Sequence, residues 1–334
     1  MNQPKMTDVA KLAGVSTNTV SRVIHHRGYL SEKTIAKVEA AMKTLHYQPN
    51  MIAQQLQSHR TKSIGVLVPS VANPFFGELT YQLERNLFSN GFKVFLGNAE
   101  NDIQKERAYL QQLLARQVDG LIIATHNHQN KIPEYTDINL PLVTIDRYLN
   151  ETIPNISSDN YAGGKLATET LIERGAKEII HTDSVESFDK NDYLRNKAYE
   201  DVMIANNRQP ITYKIKFNAT INEKKKLYNK LFDEHPNVDG IFASNDVDAI
   251  LILEIAQQRG IKIPQDLQII GYDGAPTTKI MRPELATIVQ PIQLIAKTSI
   301  SVLKHLIDNK HVENKYVLPI LLREGSTLKK LTTN

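Results

Sequence analysis

Residues 6–24 read MTDVAKLAGVSTNTVSRVI, two short helical patterns divided by one turn. Val9, Ala10 and Ala13 recur at helical spacing and share one face. Gly14 follows, the residue that most easily takes positive φ at a helix end. Ser16 is a suitable N-cap for a second helix, whose apolar face is Val20, Val23 and Ile24. Thr17, Asn18, Ser21 and Arg22 fall on the other face, where their side chains suit base edges and phosphates. The pattern predicts a helix-turn-helix with its second helix presented to a DNA major groove.

Beyond it, Arg27-Gly28-Tyr29 reads as a loop. Ser31 caps a third helix carrying Ile35, Val38, Met42 and Leu45 as one stripe that closes over the first two. A three-helix unit this small buries little apolar surface. Pro49 disfavours helix at Gln48, and the seven residues from Met51 to Gln57 are too few for a helix stable alone in water. Residues 1–62 hold nine basic and three acidic side chains, a net +6, whereas the whole chain of 334 residues carries +4. A basic head on a slightly acidic body is the electrostatic footprint of a nucleic-acid-binding module joined to something else.

The length suits two or three domains. Zero Cys excludes disulfides, thiolate metal sites and cysteine nucleophiles. No run of about 18 apolar residues and no signal-peptide pattern are present, so a cytoplasmic location without membrane partners is expected. From Ser63 onward short β-branched runs alternate with amphipathic helices, the mark of parallel sheets covered on both faces. Strands are expected at 64–68, 92–96, 119–124 and 142–145, then at 178–181, 212–217, 240–243 and 268–270, with a long helix at 292–307 and one closing strand at 315–322. Two consecutive α/β units of similar size predict two doubly wound lobes with a cleft between them.

Ligands in open α/β sheets bind beyond the carboxyl ends of strands. The residues there are Asn73, Phe75, Phe76, Asp146 and Arg147 in the first unit and Arg195, Asn245 and Asp273 in the second, with Gln290 at a crossover beside Pro291. Paired donors and acceptors beside an aromatic wall suit a neutral polyol. Arg147 is the sharpest candidate, because an Arg just past a strand end is costly without a partner.

TDVAKLAGVSTNTVSRV resembles the DNA-binding motif of the LacI/GalR family of bacterial transcription regulators almost position for position. The resemblance continues through YQPNMIAQQLQS, NPFFGELTYQLE, PLVTIDRY, SSDNYAGGKLATETLIERG, FASND and QIIGYDG. It implies an all-α helix-turn-helix head at 1–49, a hinge at 50–61 that orders on operator DNA, and an α/β body at 62–334 of two periplasmic-binding-protein-like lobes that bind sugar and dimerise. In the family the chain crosses between lobes three times. The residues set against DNA are then Thr7, Ser16, Thr17, Asn18, Thr19, Ser21 and Arg22, with Asn50, Ala53 and Leu56 in the hinge. Leu56 would wedge into the minor groove. The Asn-Pro-Phe-Phe and Asp-Arg pairs look most like members that respond to ribose, fructose or sucrose. Implied partners are a near-palindromic operator, a small sugar and a second copy of the chain; no cofactor is implied. Two departures stand out: Ala198 replaces a common family glycine, and HTDSVESFDKND is long and acidic. With no leucine heptads after Arg323, a coiled-coil tetramer is not expected.

Enzyme readings lack support. No G-x-G-x-x-G follows the first strand. Gly163-Gly164-Lys165 has Asp159 and Leu166 where a P-loop needs Gly and Ser or Thr, and the ten His residues form no metal-binding pair. Other readings are a sugar transport receptor and a regulator with a purine or a phosphorylated carrier protein as co-repressor.

Overall fold

The computed structural model describes residues 4–25, 27–48, 60–115, 118–125, 132–136, 138–184, 190–216 and 219–331. Two compact units result, Met1–Thr61 and Lys62–Asn334. The expected hinge residues Asn50, Ala53 and Leu56 lie outside the described residues.

In the first unit α1 (Met6–Ala13) ends at Gly14, in the left-handed region at φ 67°. Ser16 starts α2 (Thr17–Ile24), its hydroxyl oxygen accepting from the Thr19 amide at 3.1 Å. Ser31 does the same for α3 (Glu32–Thr44), accepting from the Thr34 amide at 3.3 Å. These caps satisfy amides that a helix start otherwise leaves unpaired. The three helices close on Val9, Ala10, Ala13, Val20, Val23, Val38 and Ala41.

The second unit holds two six-stranded sheets. The first lobe contains β1 (Ser63–Val68), α4 (Pro74–Ser89), β2 (Lys93–Asn98), α5 (Ile103–Leu114), β3 (Gly120–Ile123), β4 (Leu142–Ile145) and β5 (Asn155–Ser158). The second contains α6 (Asn160–Glu173), β6 (Ile179–Ser184), α7 (Lys190–Ala205), β7 (Ile211–Ile215), α8 (Ile221–Glu234), β8 (Gly240–Phe242), α9 (Asp246–Gln258), β9 (Gln268–Asp273), α10 (Pro276–Met281) and β10 (Ala286–Val289). The chain then returns to the first lobe as α11 (Ile292–Ile307) and β11 (Lys315–Leu318), and ends in the second as β12 (Leu321–Arg323).

Sheet order is β11-β5-β4-β3-β1-β2 in the first lobe and β12-β10-β9-β8-β6-β7 in the second. All pairings are parallel except β10 with β12. The apolar runs are strands buried on both faces: all of β1, β3, β4 and β9 are inaccessible. The first lobe's core has α4 and α11 on one side of the sheet and α5 on the other.

The single closing strand expected at 315–322 is two strands in two different sheets. Pro319, which lacks the N–H a central strand position needs, separates them. The chain therefore crosses between lobes three times: after Ser158, after Val289 and between Leu318 and Leu321. The crossings are tied together, the Asp159 amide donating to the Leu318 carbonyl at 2.8 Å and the Ser158 hydroxyl to Gln290 Oε1 at 2.6 Å. No described helix is long and apolar enough to cross a membrane.

Candidate functional site

Between the two lobes lies a cavity of about 350 Å3. Eight of the nine residues expected at the cleft line it: Asn73, Phe75, Phe76, Asp146, Arg195, Asn245, Asp273 and Gln290.

Each arrives there through local structure. Asn73 caps α4, its Oδ1 accepting from the Phe75 amide at 2.9 Å. Phe75 and Phe76 sit in that helix's first turn with ring centroids 5.0 Å apart, edge to face. They belong to the first lobe's core and wall the cavity at once. Asp146 directly follows β4 at φ 50°, an uncommon region for a residue with a Cβ. Asn245 caps α9, with Oδ1 accepting from the Asp248 amide at 2.9 Å and Nδ2 donating to Asp248 Oδ2 at 2.8 Å. Its amide is thus committed to the helix start.

Asp273 ends β9 at φ 110° and accepts from Gln290 Nε2 at 2.8 Å. Burial pushes its carboxyl well above the usual carboxylate range. The Asp246 charge acts in the same direction, and Arg195 opposes it. Asp246 is itself buried, accepting from Gly274 N–H, Thr278 and Thr287, and burial raises it too.

Arg195 lies over the Tyr272 ring, its guanidinium carbon 3.9 Å from the centroid. Its Nε donates to Asn160 Oδ1 at 2.6 Å. Burial raises the Tyr272 hydroxyl, which stays neutral and donates to the same oxygen at 3.3 Å. The pair Gly163-Gly164 has a packing role here rather than a phosphate one. A Cβ on Gly163 would collide with the Tyr272 hydroxyl, and one on Gly164 would meet the Arg195 carbonyl at 2.5 Å and the Ala198 Cβ at 3.1 Å. Ala198, the departure from the family pattern, fits because α6 presents a glycine opposite it.

Arg147 stands apart from the other eight. It is absent from the cavity lining, and its Nη1 donates to Glu106 Oε1 at 2.8 Å in a pair whose side chains are 3% and 0% exposed. Thr125 and Tyr135 donate their hydroxyls to the same carboxylate, and the guanidinium stacks 4.6 Å from the Tyr135 ring centroid. The partner that a buried Arg requires is thus a glutamate of α5, and Asp146 alone of the Asp-Arg pair faces the cavity.

The sequence reading missed His181, Asp183, Lys216, Lys224 and Asp248, which also line the cavity. His181 and Asp183 alternate along β6, so they share one face; that strand runs to Ser184, three residues past its expected end. His181 donates its Nδ1–H to the Phe242 carbonyl at 2.8 Å and stacks on that ring. Lys224 and Asp248 pair at 2.7 Å. Among the described residues no cluster of acidic, His or Cys side chains has the spacing of a metal site.

In the first unit Thr7, Thr17 and Asn18 are exposed, as a DNA-reading face needs. Ser16 and Thr19 are joined through their hydroxyls at 2.9 Å in the α2 cap, and Ser21 is half-buried. Arg22 Nε and Nη2 donate to the carbonyls of Arg27 and Tyr29 at 3.3 and 3.1 Å. The guanidinium clamps the loop after α2. Tyr29 on that loop is 94% exposed.

The family of periplasmic binding proteins and the sugar-binding domain of the LacI family matches residues 61–322. The family of bacterial regulatory proteins of the lacI type matches residues 5–50. The chain belongs to the LacI family. It is 43% identical to a sucrose operon repressor of Pediococcus pentosaceus, over 97% of this chain and 99% of that one. Among solved structures it is similar to the Lac repressor dimer bound to operator and the anti-inducer ONPF: TM-score 0.87 and 26% identity, over 98% of this chain and 100% of that one. It is also similar to a periplasmic binding protein/LacI transcriptional regulator of Alkaliphilus metalliredigens complexed with D-xylulofuranose. There the TM-score is 0.71 and the identity 31%, over 80% of this chain and 100% of that one.

Proposed function

We propose that this chain is an operator-binding repressor whose hold on DNA is set by a small sugar in the interlobe cavity. One observation carries the reading: eight residues from both lobes and a crossover, picked by their place after strand ends, meet around one cavity. Fixed donors and acceptors beside the Phe75–Phe76 wall suit the hydroxyls and C–H face of a sugar ring. The sucrose operon repressor and the D-xylulofuranose complex among the similar proteins support a saccharide of the sucrose, fructose or ribose type. The exposed Thr17 and Asn18 and the Nη1 of Arg22 would read the major groove, with Leu56 as the hinge wedge. Two copies would grip a near-palindromic site. Edge strand β2 leaves Phe95 and Leu96 about half exposed, an apolar surface suited to pairing with a second copy. Sugar that favours one lobe arrangement shifts the population of DNA-competent dimers.

The test is a thermal-shift screen of the full chain against sucrose, fructose, ribose, xylulose, sugar phosphates and purines, followed by operator binding with each hit. A sugar that raises the melting temperature and changes operator affinity supports the reading. A purine alone doing so replaces the sugar with a purine co-repressor.

A further inference from the structure

Asn160 lines no part of the cavity, yet it touches the polar groups of both walls. It is the first residue of α6, where the chain leaves the first lobe for the second. It is 1% exposed. Its Nδ2 donates to Asp146 Oδ1 at 3.2 Å and to the Ser158 carbonyl at 3.1 Å, both in the first lobe. Its Oδ1 accepts from Arg195 Nε at 2.6 Å and Tyr272 Oη at 3.3 Å, both in the second. Two donors and two acceptor sites are the whole capacity of a carboxamide, and all four are in use. The orientation is unambiguous, since Arg195 Nε can only donate and must therefore face the oxygen.

We infer that Asn160 is a positioning residue that sets Asp146 and Arg195 in register across the crossover, so that a sugar meets a preassembled acid and cation. This rests on the sugar reading of the cavity. The supporting geometry is specific. Asp146 is held at φ 50°, which the Asn160 donor helps fix. Arg195 is trapped between Tyr272 and the Asn160 oxygen, and Gly163 and Gly164 clear the space that lets both approach the start of α6. At neutral pH a carboxamide donates to one wall while accepting from the other, with two sites for each. A relative motion of the lobes at this crossover would move Asp146 and Arg195 together through one side chain.

The test uses the full chain with Asn160→Asp and Asn160→Ala, each first checked for folding by circular dichroism melting. The aspartate substitution keeps the acceptor for Arg195 but replaces the donor to Asp146 with a second carboxylate. Two carboxylates this close repel when both are ionised, which favours a proton shared between them as the pH falls. The charged and titratable groups facing the site are Asp146 after β4, Arg195 on α7, and Tyr272 and Asp273 on β9. Relative to wild type at each pH, Asn160→Asp should bind sugar about tenfold to a hundredfold more weakly near neutrality and recover as the pH falls and the shared proton restores a donor. Asn160→Ala should be weak at every pH. A residue that served only packing would give no such pH-dependent ratio. A sugar-independent measurement accompanies this: the 15N–1H NMR signal of Arg195 Nε should shift and lose exchange protection in Asn160→Ala without ligand. If wild type binds none of the sugars, the sugar reading fails while the Arg195 signal still decides the link. An unmoved Arg195 signal, or a folded Asn160→Asp with wild-type affinity at all pH values, overturns the inference.

Discussion

The buried pair of Arg147 and Glu106 gives the sharpest energetic forecast. The charges meet at 2.8 Å with both side chains essentially inaccessible. Removing one partner leaves an uncompensated charge in a low-dielectric interior, at a cost of about 3–5 kcal/mol. Arg147→Met should therefore lose most of that amount, as should Glu106→Leu. Removing both takes away the charges together, and buried pairs replaced by apolar residues are often neutral. The double variant still strands the Thr125 and Tyr135 hydroxyls that donate to Glu106, so Thr125→Val and Tyr135→Phe are added to it, removing a cost of about 1–3 kcal/mol for each hydroxyl; this fourfold variant should be more stable than Arg147→Met. The assay is urea unfolding of the full chain followed by far-ultraviolet circular dichroism, with midpoints compared at constant slope. A fourfold variant no more stable than Arg147→Met would refute the argument that an orphaned charge is what costs stability. Sugar binding in the double variant adds a second reading: retained affinity fits an Arg147 that never enters the cavity.

Asp273 supplies a pH test. Its folded carboxyl lies well above its unfolded value because of burial, so its contribution to stability is complete below the unfolded value of about 3.9 and is lost as the pH rises through the folded one. Asp273→Asn should gain stability over wild type progressively from about pH 4 toward neutrality, and a pH-independent difference in melting temperature would contradict this. Arg22→Lys keeps the charge but loses the fork, so operator affinity should fall about tenfold to a hundredfold while non-specific binding and its salt slope change little; anisotropy titrations at several salt concentrations read both. Gly164→Ala pushes a Cβ to 2.5 Å from the Arg195 carbonyl and should cost about 1–3 kcal/mol. Adding Ala198→Gly should not rescue it, because the tighter contact is with backbone; a full recovery in melting temperature would show otherwise.

What could be read in the chain depended on whether the signal was local. The helix ends of the first unit were legible because Gly14, Ser16 and Ser31 are caps, and caps act within four residues. β4 and α11 appeared with their full bounds because one is β-branched or apolar at every position and the other keeps a helical apolar stripe. β5 did not, since Asn-Ile-Ser-Ser offers one apolar residue and becomes a strand only by pairing between β4 and β11. In the cavity, the rule of strand ends found Asp146 and Asp273 but could not say which of two neighbours faces inward. Arg147, the next residue, is paired with Glu106 instead of lining the cavity. Asn160 gave no chemical signal at all: its importance comes from four partners at sequence distances between 2 and 112.

The third crossing at Pro319 bears on how this polypeptide matures as it leaves the ribosome. The first lobe cannot finish when its first five strands have emerged, because α11 supplies Ile295, Ala296, Ile300 and Leu303 to its core and β11 covers the edge of β5. The second lobe is then synthesised as far as β10 and is still incomplete. It lacks β12, Leu328 in its core, and Thr327, whose hydroxyl donates to the Ile269 carbonyl and accepts from the Ala286 amide. Both halves thus stay open until nearly the same moment, with the unpaired edges of β5 and β10 exposed in the meantime. Vectorial synthesis gives no head start to either lobe, and these late residues complete the two together.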